Sequence, residues 1–272
     1  MKKLLLMMTV AASLLAAGCG GGDGGDGSSR LKRLIVDSNA NGTADTMYTV
    51  GYDSASYMSS IVVQDCSTLP LISGADCALG AVDYTYYFFR DGAKNITTVT
   101  RTSSSNVTMT SVYAYDANNA PVSLMTDTTS NASVDYAEYY TTDANGDITS
   151  AYIDNDFDST NDDYSLFTYF QPGKPYHYEL NEDYLSVPAV DYLADFSYDA
   201  EGKITDVIID DNGDNLKDEY KSYVYEGSRL VRIDSASTYG GTPNSVYYLE
   251  YEGGAEYGTE FLYFFMNLGL YF

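Results

Sequence analysis

Phe196-Ser197-Tyr198-Asp199-Ala200-Glu201-Gly202-Lys203-Ile204-Thr205-Asp206-Val207-Ile208-Ile209 is the stretch whose reading decides the fold. Phe196 and Tyr198 stand two apart, which puts both rings on one face of a strand. Gly202 then falls where a tight hairpin needs positive φ, and a β-branched run from Thr205 to Ile209 leads back. Asp143-Ala144-Asn145-Gly146-Asp147-Ile148, followed by Thr149-Ser150-Ala151-Tyr152-Ile153, has the same form. Each reads as a β-hairpin, and no stretch after residue 30 keeps a 3.6-residue period.

These hairpins recur. Asp116 and Asp143, Asp127 and Asp154, Asp135 and Asp162, and Gly146 and Gly173 are each 27 residues apart. A finer spacing of eight joins Asp45 to Asp53, Asp83 to Asp91, Asp135 to Asp143, Asp191 to Asp199, Asp218 to Glu226 and Asn244 to Glu252. Five positions into those segments stand Val50, Phe88, Tyr140, Phe196, Tyr223 and Leu249, with Tyr113 and Phe167 in two further copies. Two residues later come Tyr52, Tyr115, Tyr169, Tyr198, Tyr225 and Tyr251. The eight units predict an all-β fold, an antiparallel up-and-down meander of about sixteen strands in a curled or barrel-like sheet.

The string Tyr-Asp-Ala-x-Gly-x-Ile, best kept at residues 198–204, resembles the YD repeat of Rhs-type proteins and of bacterial lipoproteins with curled, porin-like β-sheets. The resemblance covers most of residues 33–255, and Arg90-Asp91 and Thr142-Asp143 depart from it by lacking the tyrosine. It implies a curled meander sheet and no particular activity.

The N-terminus carries an address. Lys2 and Lys3 precede an apolar run over 4–15 and the small residues Ala16-Ala17-Gly18 before Cys19. The run is shorter than the roughly 20 residues a membrane-spanning helix needs, so residues 1–18 read as a signal peptide. Its end resembles the lipobox of bacterial lipoproteins, which implies that the Cys19 thiol takes a diacylglycerol, with palmitate-type acyl chains, before cleavage. A plain secretory signal is the alternative. Residues 19–30 are a Gly/Asp tether that buries nothing, and residues 31–272 form the β-hairpin repeat domain. Gly20 directly after the cysteine implies, by the same resemblance, the outer membrane, on its periplasmic or surface face.

Composition narrows the partners. Lys2 and Lys3 are the only charges before Cys19, so the remainder holds 12 basic and 39 acidic side chains, net −27. That field repels nucleic acid and attracts cations. The 29 tyrosines and 10 phenylalanines argue for a packed body rather than an acidic tail. With Cys19 assigned to lipid, Cys66 and Cys77 are the remaining pair for a disulfide in an oxidising compartment, free thiols being the other reading.

Three acidic loops share one phase. Asp37, Asn39, Asn41 and Asp45 occupy positions 1, 3, 5 and 9 of the first; Asp154, Asp156, Asp158 and Asp162 of the second; Asp210, Asn212, Asp214 and Asp218 of the third. Alternate oxygens in a curled loop suit calcium, and the loops resemble the opening nine positions of EF-hand-like sites. Position 12, which should hold a bidentate Glu, is Tyr48, Ser165 or Lys221. Turn chemistry alone is the competing account. The 127–135 copy is poorer and the 100–108 copy has no carboxylate.

Catalytic signals are thin. His177 is the one histidine and has no motif around it. No zinc-type cluster or phosphate-binding glycine loop stands out. The run 261–272, ending on Phe272, reads as a last strand closing the sheet; Tyr220, Ser222 and Val224 against Lys221, Tyr223 and Tyr225 give no lipid-facing side. The expectation is a non-enzymatic, membrane-anchored, calcium-stabilised envelope protein with a structural role or a glycan or protein ligand. A carboxylate-dependent hydrolase of envelope or extracellular polysaccharide is the alternative.

Overall fold

A computed structural model describes residues 30–70, 82–103, 106–182, 190–227 and 229–252. The hairpins become β1 (Arg30–Asp37), β2 (Thr43–Tyr52), β3 (Met58–Pro70), β4 (Val82–Arg90), β5 (Ile96–Ser103), β6 (Asn106–Tyr115), β7 (Pro121–Asp127) and β8 (Tyr136–Thr142). The second half is β9 (Ile148–Asp154), β10 (Asp163–Gln171), β11 (Lys174–Asn181), β12 (Tyr192–Tyr198), β13 (Ile204–Asp210), β14 (Glu219–Glu226), β15 (Arg229–Ala236) and β16 (Ser245–Glu252). Every strand pairs antiparallel with its sequence neighbours, and β1 pairs with β16, so the sixteen-strand meander is a closed barrel. At the seam Leu34 faces Leu249 and Val36 faces Tyr247. Closure thus falls to β16 rather than to the run 261–272, which lies outside the described residues, as do Cys19 and the leader.

The period of two explains the core. One apolar cluster draws members from all sixteen strands, including Tyr48, Phe88, Leu124, Phe167, Tyr223 and Leu249. A barrel of this strand number ordinarily leaves an aqueous channel. Here Leu34, Ile61, Leu124, Ile153, Ile204 and Val207 are only 0–1% exposed, so the interior is packed rather than wet. Truncating one of them, as in Leu124→Ala, would cost about 2–5 kcal/mol. The outer wall of β11–β16 carries Glu179, Asp195, Asp206, Arg232, Asp234 and Glu250, which alternate with inward apolar residues. Such a wall gives no continuous lipid-facing band.

The two rims differ. At one, five hairpins share a turn in which an aspartate N–H donates to the carbonyl four residues on. The aspartate side chain (Asp53, Asp91, Asp116, Asp143 or Asp199) accepts the N–H at that same position. The third residue after each aspartate has positive φ: Ser56, Lys94, Asn119, Gly146 and Gly202. This is the physical content of the Asp-Ala-x-Gly string. A bulge precedes each turn, for example between Ser197 and Tyr198.

The repeated tyrosines close this rim. The β9–β10 ladder ends at Ser150 opposite Leu166, and the Tyr169 hydroxyl takes the next free carbonyl, that of Ile148, at 2.9 Å. Tyr52 does the same for Leu31 (2.9 Å), Tyr115 for Ile96 (2.9 Å) and Tyr198 for Pro175 (2.7 Å). Cations sit over several of these rings, Arg30 over Tyr52, Lys174 over Tyr198, Lys203 over Tyr225 and Arg229 over Tyr251. Tyrosine enrichment is therefore a rim device as well as core filling.

Candidate functional site

The acidic loops all lie on the opposite rim, because they join odd strands to even ones. Four have one backbone form. Positions 4 and 6 take positive φ in each: Ala40 and Gly42, Ser130 and Ala132, Phe157 and Ser159, Gly213 and Asn215. A phenylalanine in that region is strained unless its surroundings hold it there. What holds it is the acids. Asp154 accepts N–H groups of Asp158 (3.1 Å) and Ser159 (2.9 Å), as Asp37 accepts those of Asn41 (3.0 Å) and Gly42 (2.8 Å). The aspartate at position 9 accepts the N–H at position 2: Asp45 from Ser38, Asp135 from Thr128, Asp162 from Asn155 and Asp218 from Asp211. The loop of 127–135, poor in carboxylates, keeps this form, so turn chemistry alone suffices to fold it.

Two loops add something turn chemistry does not require. Carboxylate oxygens of Asp154, Asp156 and Asp162 lie within 4.8 Å of one another, as do those of Asp210, Asp214 and Asp218. In each trio one acid is buried, one exposed and one between. Asp158 stands outside the first trio, accepting from Thr160, and Asn212 accepts the Asp214 N–H at 3.0 Å. The loop with Asp37, Asn39, Asn41 and Asp45 brings only two carboxylates, and Asp45 is taken up by Ser38 and Asn39. In both trios the carboxylate at position 9 lies beside that at position 1, where an EF-hand-like loop would bring its twelfth residue. The twelfth could not serve: Tyr48 and Ser165 are buried strand residues, and Lys221 is buried beside Glu219 at 3.6 Å. Burial lowers the Lys221 pKa, opposed by the Glu219 charge.

Two titratable clusters escaped the sequence reading. Glu138 is fully buried, between the hydroxyls of Tyr136 and Tyr140 (3.1 Å to the latter). Burial raises its pKa well above the usual carboxylate range, against the pull of those hydroxyls. On the outer wall His177 bridges Asp195, 2.6 Å from Nδ1, and Glu179, 2.9 Å from Nε2. Partial burial alone would lower the His177 pKa; hydrogen bonds to Asp195 and Glu179, reinforced by their charges, raise it instead. Lys217 adds a cation 3.4 Å from Asp195. Period-two alternation already placed Glu179 beside His177, but Asp195 needed the β11–β12 register. Cys66 is buried and disulfide-bonded, while its expected partner Cys77 lies outside the described residues.

No family model matches the chain, and no curated protein does. Among solved structures it is similar to a porin-like protein from Bacteroides uniformis, at 9% identity and a TM-score of 0.49, covering 82% of this chain and 96% of that one. It is also similar to the TcdB2-TccC3 assembly, at 13% identity and a TM-score of 0.34, covering 74% of this chain but 12% of that one. The form of that assembly without its hypervariable C-terminal region gives 12% and 0.34, covering 79% and 12%. The chain thus spans about an eighth of the length of the larger protein.

Proposed function

We propose that this chain is a lipid-anchored protein of the cell envelope, a filled β-barrel with a structural or ligand-binding role, whose acidic rim is stabilised by calcium. The observation that carries the calcium part is the pair of three-carboxylate groups in equivalent loops on one rim. Three like charges held this close in each loop repel one another, and a divalent cation offsets that repulsion. The packed interior and the charged wall of β11–β16 favour a body that stands in water over a channel. The tether from Cys19 would enter β1 at the tyrosine rim, where Arg30 begins the strand. Ten residues of Gly/Asp coil reach roughly 35 Å at most, so the acidic rim would face away from the lipid surface.

The test has two arms. Calcium at a hundred times its Kd stabilises the folded state by about 2.7 kcal/mol, so adding it to EDTA-stripped protein should raise the melting temperature. Asp156→Asn should remove part of that shift without loosening the loop, because Asp156 carries none of the backbone hydrogen bonds that fold it. An unchanged melting curve refutes the calcium reading. For the anchor, metabolic labelling with an alkyne fatty acid should mark the wild type and fail on Cys19→Ser; label retained by the variant refutes lipidation at that residue.

A further inference from the structure

The two halves of the outer wall differ in charge, and the difference follows the registers. Across β4–β8 one outward row runs Phe89, Thr98, Val112 and Met125 and ends at Ala137, which is buried. A second runs Tyr87, Thr100, Thr110 and ends on Asp127, where β7 meets its acidic loop. A third runs from Ser123 through Tyr139 and Tyr152 to Tyr164 on β10. Of these residues only Asp127, at the acidic rim, is charged, whereas β11–β16 present the acids, His177 and Arg232 described above. Phe89 is 53% exposed, Val112 49%, Tyr87 43% and Tyr139 40%. Large apolar residues so exposed and so grouped mark a contact surface rather than a solvated wall.

We infer that this uncharged wall binds a neutral, linear polysaccharide laid across the strands. Charge selects the class of partner. The chain carries a net charge of −25, so anionic polymers and a second copy of itself are repelled, and a cationic protein would find its counter-charges on β11–β16, not here. The chemistry of the wall selects within what remains. Tyr139, Tyr152 and Tyr164 are directly opposite one another on three adjacent strands, a ladder roughly 10 Å long, with the Tyr152 and Tyr164 rings 5.0 Å apart. Such rings offer broad apolar faces to the C–H faces of sugars and keep hydroxyls at their edges. Among the described residues the hydroxyls of Thr98, Thr100, Thr110 and Ser123 make no hydrogen bond within the protein, so they stand ready for sugar hydroxyls. The β-sheet holds these groups in a fixed array, and little is lost in ordering them. This gives the ligand-binding half of the function above a place and a ligand class, and it is independent of the calcium half.

Affinity electrophoresis of the full chain through gels containing hydroxyethyl cellulose, laminarin, mannan or, as the anionic control, polygalacturonate tests the inference. At least one neutral polymer should retard the protein and polygalacturonate should not. Tyr139→Ala and Phe89→Ala should each weaken retardation about tenfold with the melting curve unchanged, since both side chains are exposed. Absence of retardation by every neutral polymer overturns the inference, and so does retardation that survives both substitutions. Concentration-dependent dimers in sedimentation that Phe89→Ala abolishes would overturn it in favour of a second copy. Calcium-dependent melting is measured on the same preparations, so failure of one reading is distinguishable from failure of the other.

Discussion

The tyrosine rim makes a paired prediction. Tyr169 and Tyr225 hold the same place in their repeats, yet the Tyr169 hydroxyl donates to the Ile148 carbonyl at 2.9 Å while the buried Tyr225 hydroxyl has no hydrogen-bond partner among the described residues. Tyr169→Phe removes one hydrogen bond and leaves the Ile148 carbonyl, at a fully buried residue, without that donor. The bond itself accounts for about 1 kcal/mol and the stranded acceptor adds to it, giving about 1–2 kcal/mol in all. For a chain of this size that is a fall of roughly 3–6 °C in melting temperature. Tyr225→Phe removes a hydroxyl already desolvated without return, so its effect should lie within about 0.5 kcal/mol of zero or on the stabilising side. Circular dichroism melts of the two single variants and the wild type, with reversibility checked, measure both. Equal losses in the two variants would refute the reasoning, because they would make the rim tyrosines fillers whose hydroxyls do not matter.

Glu138→Gln should gain stability over the wild type as pH rises. A carboxyl whose folded pKa is raised contributes fully below its unfolded value near 4.5 and loses that contribution above it, so melting-temperature differences that stay flat from pH 4.5 to 8 would contradict its burial as a neutral acid. His177→Gln should be most destabilising below pH 6.5 and progressively less so as pH climbs through the raised histidine value, because the protonated ring is the form that Asp195 and Glu179 favour; a penalty that grows with pH would show the neutral ring to be the one held. Gly213→Ala should cost well over 1 kcal/mol, since φ is +70° and an added Cβ would overlap the Val190 carbonyl, whereas Gly42→Ala, with open space around it at φ +85°, should cost only about 1 kcal/mol. Chemical denaturation of both variants separates the clash from the φ penalty.

Strand number and hairpin positions were legible because they are local. Tyr198 to Ile204 carries its own turn, and the Asp-to-Asp spacing of eight repeats often enough to count the strands. Closure was not legible, since the contact of Leu34 with Leu249 joins residues at opposite ends of the repeat domain and nothing in either segment names the other. The filled interior was half visible. Inward aromatics follow from period two, but whether opposite walls meet depends on the whole barrel. Of the loops, the ligand-like phase was readable, whereas the reason that position 12 is Tyr48, Ser165 or Lys221 appears only once those positions prove to be buried strand residues. His177 looked partnerless because its second carboxylate stands 18 residues away, brought beside it by a register.

The two rims explain one another. A hairpin repeat that keeps its tight turns on one side must put its longer loops on the other, and 27 residues hold two strands and both connections. The tight side has turn aspartates of its own, but it satisfies its stray carbonyls with tyrosine hydroxyls and sets Arg30, Arg90, Lys94, Lys174, Lys203 and Arg229 over the rings, so cations stand among its acids. The loose side satisfies stray N–H groups with aspartates, and each such acceptor brings a negative charge that the protein does not balance locally. Acid accumulates on that rim as a by-product of folding the loops. Asp156 and Asp214 are where the loops go further, adding to Asp154 and Asp162, and to Asp210 and Asp218, a carboxylate whose oxygen faces the other two. The charge that cation binding would answer is therefore concentrated in these two trios and not spread around the rim, which is why Asp156→Asn should reduce the calcium response while the 127–135 loop, with its two acids, remains indifferent.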